Sequence, residues 1–195
     1  MSLLKQQEAI SLALNDRDGL QRSYGGQATL LDDSGHHDEA MELLRKQEKI
    51  CLELGNKEAL AECYGLQAAV FQGADNAEEG MAIYKKQEAL CLTIGQNLGL
   101  QRCYGNQALI LTAMGKFDEA FALHQKQEAI CLELGAKREL AYCWGQWGVL
   151  ERSRGNCEQA VTKLTAALDL FSALGMPRER NAVQEELDKA RGQAS

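Results

Sequence analysis

The sequence contains one proline, Pro177, and aromatic residues make up only 6% of it. Proline interrupts helices, so its scarcity favours long, unbroken ones. No apolar run approaches the roughly 18 residues of a membrane span, and no secretory signal is visible at the start. Hydrophobic residues at 45% and charged residues at 25% exclude a disordered chain. We therefore expect a folded, cytoplasmic protein without a membrane partner.

Basic charge is also scarce. Lysine and arginine total 21 against 28 aspartates and glutamates, which gives a net charge of −7. Proteins that bind nucleic acid usually carry a basic face, whereas basic residues here never run longer than a pair. The charge therefore predicts a partner other than nucleic acid.

The seven cysteines lack the close pairing of a zinc site, because no Cys-x-x-Cys spacing occurs. Six of them recur at two positions of a repeat, namely Cys51, Cys91 and Cys131, and Cys63, Cys103 and Cys143. A small apolar side chain packs well at such recurring positions, so reduced core thiols are favoured over disulfides. We expect a reducing compartment and neither a metal nor a cofactor.

One eight-residue stretch recurs four times at intervals of 40 residues, beginning at Gln21, Ala61, Gln101 and Ala141. Each interval has two helical halves, because apolar residues recur at helical spacing and glycines follow each half. The pattern predicts an all-α protein built as an α-solenoid of helix–turn–helix repeats.

The register divides the chain into segments of a single solenoid over residues 1–195. Residues 1–15 match the second helix of a repeat whose first helix is missing, which suggests a piece of a larger multidomain protein. Four repeats follow, and a last helix with a polar outer face is predicted to cap the array. Their predicted bounds are 21–60, 61–100, 101–140 and 141–176 for the repeats and 177–192 for the capping helix.

The fourth repeat resembles the tetratricopeptide repeat, on the residues Trp144, Trp147, Gly148, Ala160, Leu164 and Ala167. The 40-residue period is similar to that of the long-helix branch that includes kinesin light chain. The resemblance implies a right-handed superhelix with a concave groove that binds proteins or peptides. Carried over, the groove positions are Arg22, Gly26, Thr29, Glu62, Gln72, Arg102, Asn106, Tyr142, Gln146 and Arg152.

Three features of this implied groove bear on binding, and two of them have two interpretations each. Asn106 stands where kinesin-light-chain-like arrays hold a peptide backbone, although Gly26, Leu66 and Gln146 replace it in the other repeats. The mid-helix glycines Gly25, Gly65, Gly105 and Gly145 either leave the floor open for a ligand or let helices pack closely. The groove arginines either clamp an acidic peptide or are solvated helix ends.

Elsewhere the sequence offers little catalytic chemistry. A Gln-Glu pair recurs in the second helices, as in Gln47-Glu48, and we interpret it as a repeat-to-repeat ladder of hydrogen bonds. The three histidines have no metal-ligand spacing, and phosphate-binding or nucleophile-elbow motifs do not occur. We expect a non-enzymatic protein.

Two functions fit these observations. The first is a protein-interaction scaffold that binds a peptide or a helix in its groove. The second is a self-associating module, because the unpaired first helix should expose Leu4, Ile10 and Leu14 and invite a homodimer.

Overall fold

A computed structural model describes residues 2–73 and 76–193. Met1, Ala74, Asp75, Ala194 and Ser195, which the predicted segments include, lie outside the described residues. Ten helices and no strand occur in the described ranges. The helices are α1 (Ser2–Ala13), α2 (Arg17–Asp33), α3 (His37–Leu54), α4 (Lys57–Gly73), α5 (Ala77–Ile94), α6 (Asn97–Ala113), α7 (Phe117–Leu134), α8 (Lys137–Ser153), α9 (Cys157–Ala173) and α10 (Pro177–Gln193).

The chain divides into two compact units, Met1–Gly99 and Leu100–Ser195. In the first unit each helix from α1 to α5 packs on the next, and α2 also contacts α4. In the second unit α7 to α10 pack in the same sequential way, and α8 also contacts α10. The all-α class with tandem helical hairpins is confirmed. The repeat boundaries, and the treatment of the chain as one domain, stay predictions.

Glycines end the helices where the sequence places them. At the end of α3, Gly55 has a φ of 65° and its N–H bonds to Leu52, while the next N–H bonds to Cys51 at 3.0 Å. This pair of bonds satisfies the last carbonyls of the helix, and a left-handed φ suits glycine because it has no Cβ. The N-terminus of α2 is capped by the Asp16 carboxylate, which accepts a 2.9 Å bond from the Gly19 N–H.

Alanine and leucine form the cores of the hairpins. In the first unit Ala28, Ala40 and Leu44 pack with Cys63. In the second unit the core between α9 and α10 contains Ala160, Leu164, Leu187 and Ala190. Small side chains let two helices approach closely, and leucine fills the space that remains. All seven cysteines are free thiols, and six of them are buried, as expected.

The recurring Gln-Glu pairs make repeat-to-repeat hydrogen bonds through the glutamate, as Glu8 and Glu48 do, but not through the glutamine. Gln47 Nε2 donates to Gln21 Oε1 at 3.1 Å, which joins α3 to α2 within one helical hairpin. The neighbouring glutamate makes the bond to the next hairpin, because Gln67 Nε2 donates to Glu48 Oε2 at 2.7 Å. The prediction was wrong for the glutamines because consecutive residues on a helix point about 100° apart, so each faces a different neighbour.

The first helix is only partly unpartnered. Leu4 is half-buried, because its side chain lies on α2 against Gly26, where an added Cβ would come within 3.0 Å of Leu4 Cδ2. The expectation that Leu4 is unpaired is therefore wrong. Ile10 and Leu14 remain 60% and 73% exposed.

Candidate functional site

A polar cleft of about 450 Å³ lies in the first unit, on the side where α2 and α4 meet. It includes four of the predicted groove residues: Arg22, Gly26, Thr29 and Glu62. Its other lining residues, apart from Gly25 and Leu66, are not among the residues that the sequence places in the groove. These are Asp18, Gln21, Gln47, Asn56, Glu58 and Ala59.

The ionic partners in this cleft are unevenly distributed. The Arg22 guanidinium is paired with Asp18 one helical turn away, and Gln21 Nε2 also donates to Asp18 at 3.3 Å. Glu58 and Glu62 are exposed and form no ion pair with the described residues. The cleft therefore presents more unpaired negative charge than positive charge.

A second polar cleft, of about 300 Å³, lies in the second unit between α6 and α8. It brings together four further predicted residues: Arg102, Asn106, Tyr142 and Gln146. Gln101, Gly105, Gln127, Arg138 and Glu139 complete its lining. Arg102 and Arg138 are exposed and have no ion-pair partner in the described part of the chain, so together they outweigh the charge of Glu139 and the cleft is net positive.

Two buried amide atoms line this second cleft without a protein partner among the described residues. They are Nε2 of Gln101, a donor, and Oε1 of Gln146, an acceptor. Gln101 as a whole is only 1% exposed. Unpaired buried polar groups are costly, so such atoms mark places where an outside group is favourable.

An apolar pocket of about 250 Å³ adjoins the second cleft and shares Tyr142 and Gln146 with it. Its walls come from α6, α8, α9 and α10, and include Leu109, Val149, Phe171 and Val183. The Tyr142 ring meets the Phe171 ring edge-on at 5.1 Å between centroids, and its hydroxyl lies 3.2 Å from Glu179 Oε1.

The two remaining predicted residues, Arg152 and Gln72, are partly buried and line neither polar cleft. Arg152 is paired with Glu186 of α10 at 2.9 Å, and its side chain is 22% exposed. It is thus neither a free clamp nor a solvated helix end. Gln72 is half-buried near the end of α4, where Gly80 of α5 packs close to its backbone nitrogen.

The recurring mid-helix glycines accommodate a glutamine. A Cβ at Gly25, Gly65 or Gly105 would meet the side-chain amide of Gln47, Gln87 or Gln127 at 3.0, 2.7 and 2.6 Å respectively. The sequence suggested either an open groove floor or close helix packing at these glycines. A close approach does occur, but it is made by a glutamine side chain and not by a helix backbone. Gly145 differs, because its nearest neighbour would be Val183 Cγ2 at 3.5 Å, an ordinary contact.

Some of the additional lining residues could have been predicted from the 40-residue register. Glu58 and Arg138 precede the predicted positions Glu62 and Tyr142 by one helical turn, so they share a helix face with them. The glutamines Gln47 and Gln127 come from second helices, which the family pattern places away from the groove. Only their contact with glycine brings them to the cleft floor.

The described part of the chain contains no helix long and apolar enough to cross a membrane. It also contains no group of three or more His, Cys, Asp or Glu side chains that are placed to hold a metal ion.

No family model matches the sequence, and no curated protein matches it either. Solved structures do match. Aspartyl phosphate phosphatase F from Bacillus subtilis superposes with a TM-score of 0.81 at 14% identity, over 98% of this chain and 55% of that one. BtubC (BKLC) from P. vanneervenii gives 0.77 at 17% identity, over 98% and 89%.

The third comparison concerns the repeats themselves. The nearly identical TPR-like repeats of a putative kinesin light chain from Podosopora anserina match with a TM-score of 0.65 at 19% identity, over 89% of this chain and 86% of that one. The chain has the tetratricopeptide-repeat fold. The resemblance read from the fourth repeat is thereby confirmed. Identities this low establish the fold of a tetratricopeptide-repeat protein but not its activity.

Proposed function

We propose that this chain is a protein-interaction scaffold that binds a peptide or a helix of a partner protein along its first helices. The observation that carries the proposal is the second unit's cleft. There, an unpaired amide donor and an unpaired carbonyl acceptor, Gln101 Nε2 and Gln146 Oε1, line a surface that continues into an apolar pocket.

A polypeptide segment suits this arrangement chemically. Its backbone offers both N–H donors and C=O acceptors, which the amides of Gln101, Asn106 and Gln146 complement. The apolar pocket is large enough for one large aliphatic or aromatic side chain of the same segment. Arg102 and Arg138 add positive charge at the rim, where charge mainly affects orientation and association rate.

Selection from a displayed random-peptide library tests this proposal. Bound peptides are then measured by fluorescence anisotropy against the native chain and an Arg102→Ala/Asn106→Ala variant. We expect the variant to bind at least about tenfold more weakly, because two polar contacts are lost. A Gln125→Ala/Glu133→Ala variant, which changes two exposed residues of α7, is the matched control. Equal affinity for the native chain and the first variant would rule out this cleft.

The setting of the scaffold is part of the proposal. We place it in the cytoplasm, because its buried thiols are unpaired, and within a larger multidomain protein. The match to phosphatase F, which covers 55% of that chain, shows that an array of this size can be one part of a longer protein. The full-length gene tests the second point directly.

Self-association through α1 is a second candidate function. Leu3, Ile10 and Leu12 of α1, and Leu14 in the turn after it, are between 57% and 79% exposed. Exposed apolar side chains that lie together favour pairing with another copy. Light scattering over a concentration series tests it, with Ile10→Asn/Leu14→Asn as the variant. A constant monomer mass for the native chain would exclude the homodimer.

A further inference from the structure

Two exposed glutamates of the first unit's cleft have no acidic residue at the equivalent positions of the second unit. Glu58 and Glu62 stand one helical turn apart on α4, and the equivalent positions of α8 are Arg138 and Tyr142. Both glutamates are exposed, and neither forms an ion pair with a described residue. Glu58 lies in the first turn of α4, where a carboxylate suits the helix dipole, but like charges four residues apart repel each other, so Glu62 weakens this local gain.

Among the described residues that line the cleft, one is basic, and it does not neutralise this pair. Arg22 is bound to Asp18 on its own helix, and its Nε atom also donates to the Asp18 carbonyl at 3.4 Å. Asn56 is engaged as well, because its Oδ1 accepts from the Ala59 N–H at 3.0 Å. The acceptors left for a guest are therefore the two glutamate carboxylates.

A third acceptor lies at the cleft floor. Gln47 is 5% exposed, and its Nε2 is held by Gln21 Oε1. Its Oε1 has no hydrogen-bond partner among the described residues. The absence of a side chain at Gly25 places this amide at the lining, since a Cβ there would come within 3.0 Å of it. The floor thus adds a carbonyl oxygen to two carboxylates, while one of the two Nε2 hydrogens of this amide is already donated to Gln21.

The surroundings report the same negative potential. Burial, with a smaller contribution from the carboxylates of Asp18, Glu48 and Glu62, raises the pKa of the Cys51 thiol to about 11. Cys51 lies beside the floor of the cleft, with its Sγ 3.8 Å from Gln21 Oε1.

We propose that the α2–α4 cleft binds an arginine side chain of the partner protein, with Glu58, Glu62 and Gln47 as its acceptors. The inference rests on the proposed scaffold function and names the chemistry of one contact. A guanidinium has five N–H donors in a planar fork, so it can bond to several acceptors at once, whereas an ammonium group has three donors on a point charge. The cleft volume of about 450 Å³ leaves room for the side chain and its flanking backbone.

Titration of the isotope-labelled full chain with capped pentapeptides, followed by NMR, tests the assignment. The probes have glycine at every position except the centre, which is arginine, lysine, glutamine or glutamate. We expect the arginine probe to shift the Gly25 and Gly26 amides and the Gln47 side-chain amide, the lysine probe to do so more weakly, and the other two not to. Higher salt should weaken the effect, because exposed charges are screened.

Variants make the test specific. Glu58→Gln/Glu62→Gln keeps the size of both side chains and should bind the arginine probe about tenfold more weakly, because two charge contacts are lost. Glu42→Gln/Glu78→Gln removes two exposed carboxylates outside the cleft lining and should bind it like the native chain. Circular dichroism confirms that both variants are folded.

Three results would overturn the assignment: equal shifts from the arginine and glutamine probes, unchanged affinity of Glu58→Gln/Glu62→Gln, or no shift at about 10 mM probe. The library peptides of the previous section separate this failure from failure of the scaffold function. If their binding depends on Arg102 and Asn106 and not on Glu58 and Glu62, the scaffold function stands and the arginine site does not. If it depends on neither pair, both fail.

Discussion

Leu164 of α9 packs directly against Gly148 of α8, so closely that a Cβ on this glycine would lie 2.5 Å from Leu164 Cγ and 3.2 Å from the Leu164 backbone nitrogen. The equivalent residues of the other repeats are alanines: Ala28, Ala68 and Ala108. In the fourth repeat the two helices of the hairpin therefore approach each other closely at the position where the family pattern has a small residue. Glycine permits this approach because it has no Cβ.

Two glycines of α8, three residues apart, should respond to alanine in opposite directions. Gly148→Ala forces Leu164 and its backbone to move, and overpacking of this kind costs about 1–3 kcal/mol of unfolding free energy. Gly145→Ala meets only Val183 at 3.5 Å and should gain up to about 1 kcal/mol from helix propensity. Urea unfolding of both variants checks this. A stabilised Gly148→Ala would show that the hairpin is looser than described.

Acid should destabilise the protein through His124. Burial lowers the pKa of this histidine to about 4, and the hydrogen bond to Gln127 only partly opposes the effect. The unfolded chain, with a histidine pKa near 6.5, binds the proton more readily than the folded one does. The stability contributed by neutral His124 is therefore complete above about pH 6.5 and is lost as the pH falls towards the folded pKa.

Replacement of His124 by leucine, the residue at the equivalent positions 44 and 164, isolates this effect. Between about pH 7.5 and about pH 5 the native chain should lose about 2 kcal/mol more unfolding free energy than His124→Leu does. Chemical unfolding at the two pH values measures the difference. Parallel losses in both proteins would mean that His124 does not control the acid response.

Alkylation should distinguish one cysteine from the other six. Cys157 is half-buried at the start of α9, whereas the others are buried. Burial also raises the pKa of the Cys63 and Cys143 thiols, and the thiolate is the reactive form. We expect iodoacetamide to modify Cys157 first in the native protein, as read by mass spectrometry. Cys157→Ser should lose this fast phase, and a persistent fast phase would locate it at another thiol.

The bond between Gln67 and Glu48 should matter more for stability than an exposed carboxylate does. Glu48→Ala removes the acceptor of the 2.7 Å bond and leaves the Gln67 amide, which is 4% exposed, without it. A buried donor without an acceptor lowers the free energy of unfolding by about 1–3 kcal/mol. Glu42→Ala, at an exposed position of the same helix, is the control and should change stability by less than about 0.5 kcal/mol. Thermal and urea unfolding compare the two.

The helices and their turns could be predicted from the sequence because their causes are local. Helical spacing of apolar residues and a glycine at each left-handed turn specify a hairpin within about 40 residues. Gly55, Gly95 and Gly135 all have the positive φ that this predicts. The buried, unpaired cysteines could be predicted for a related reason, since a recurring small residue indicates a recurring core position.

The candidate site could be predicted only in part. Eight of the ten groove residues line one of the clefts, because they share a face of a first helix. Arg152 differs, since its ion pair with Glu186 depends on where α10 lies. Exposure could not be predicted from residue type either, because Leu52 and Leu54 of α3 are apolar and yet are 59% and 46% exposed.

The sequence by itself determined the repeat, the hairpins and the all-α class, because each depends on residues close together in the chain. Only the tertiary structure decided that Gln47 forms the floor of one cleft beneath Gly25 and that Leu4 covers Gly26. It also decided that Glu58 and Glu62 in one cleft, and Arg102 and Arg138 in the other, have no ion-pair partner among the described residues. These outcomes depend on side chains of different helices meeting in space, and no spacing within a single helix specifies which of them meet.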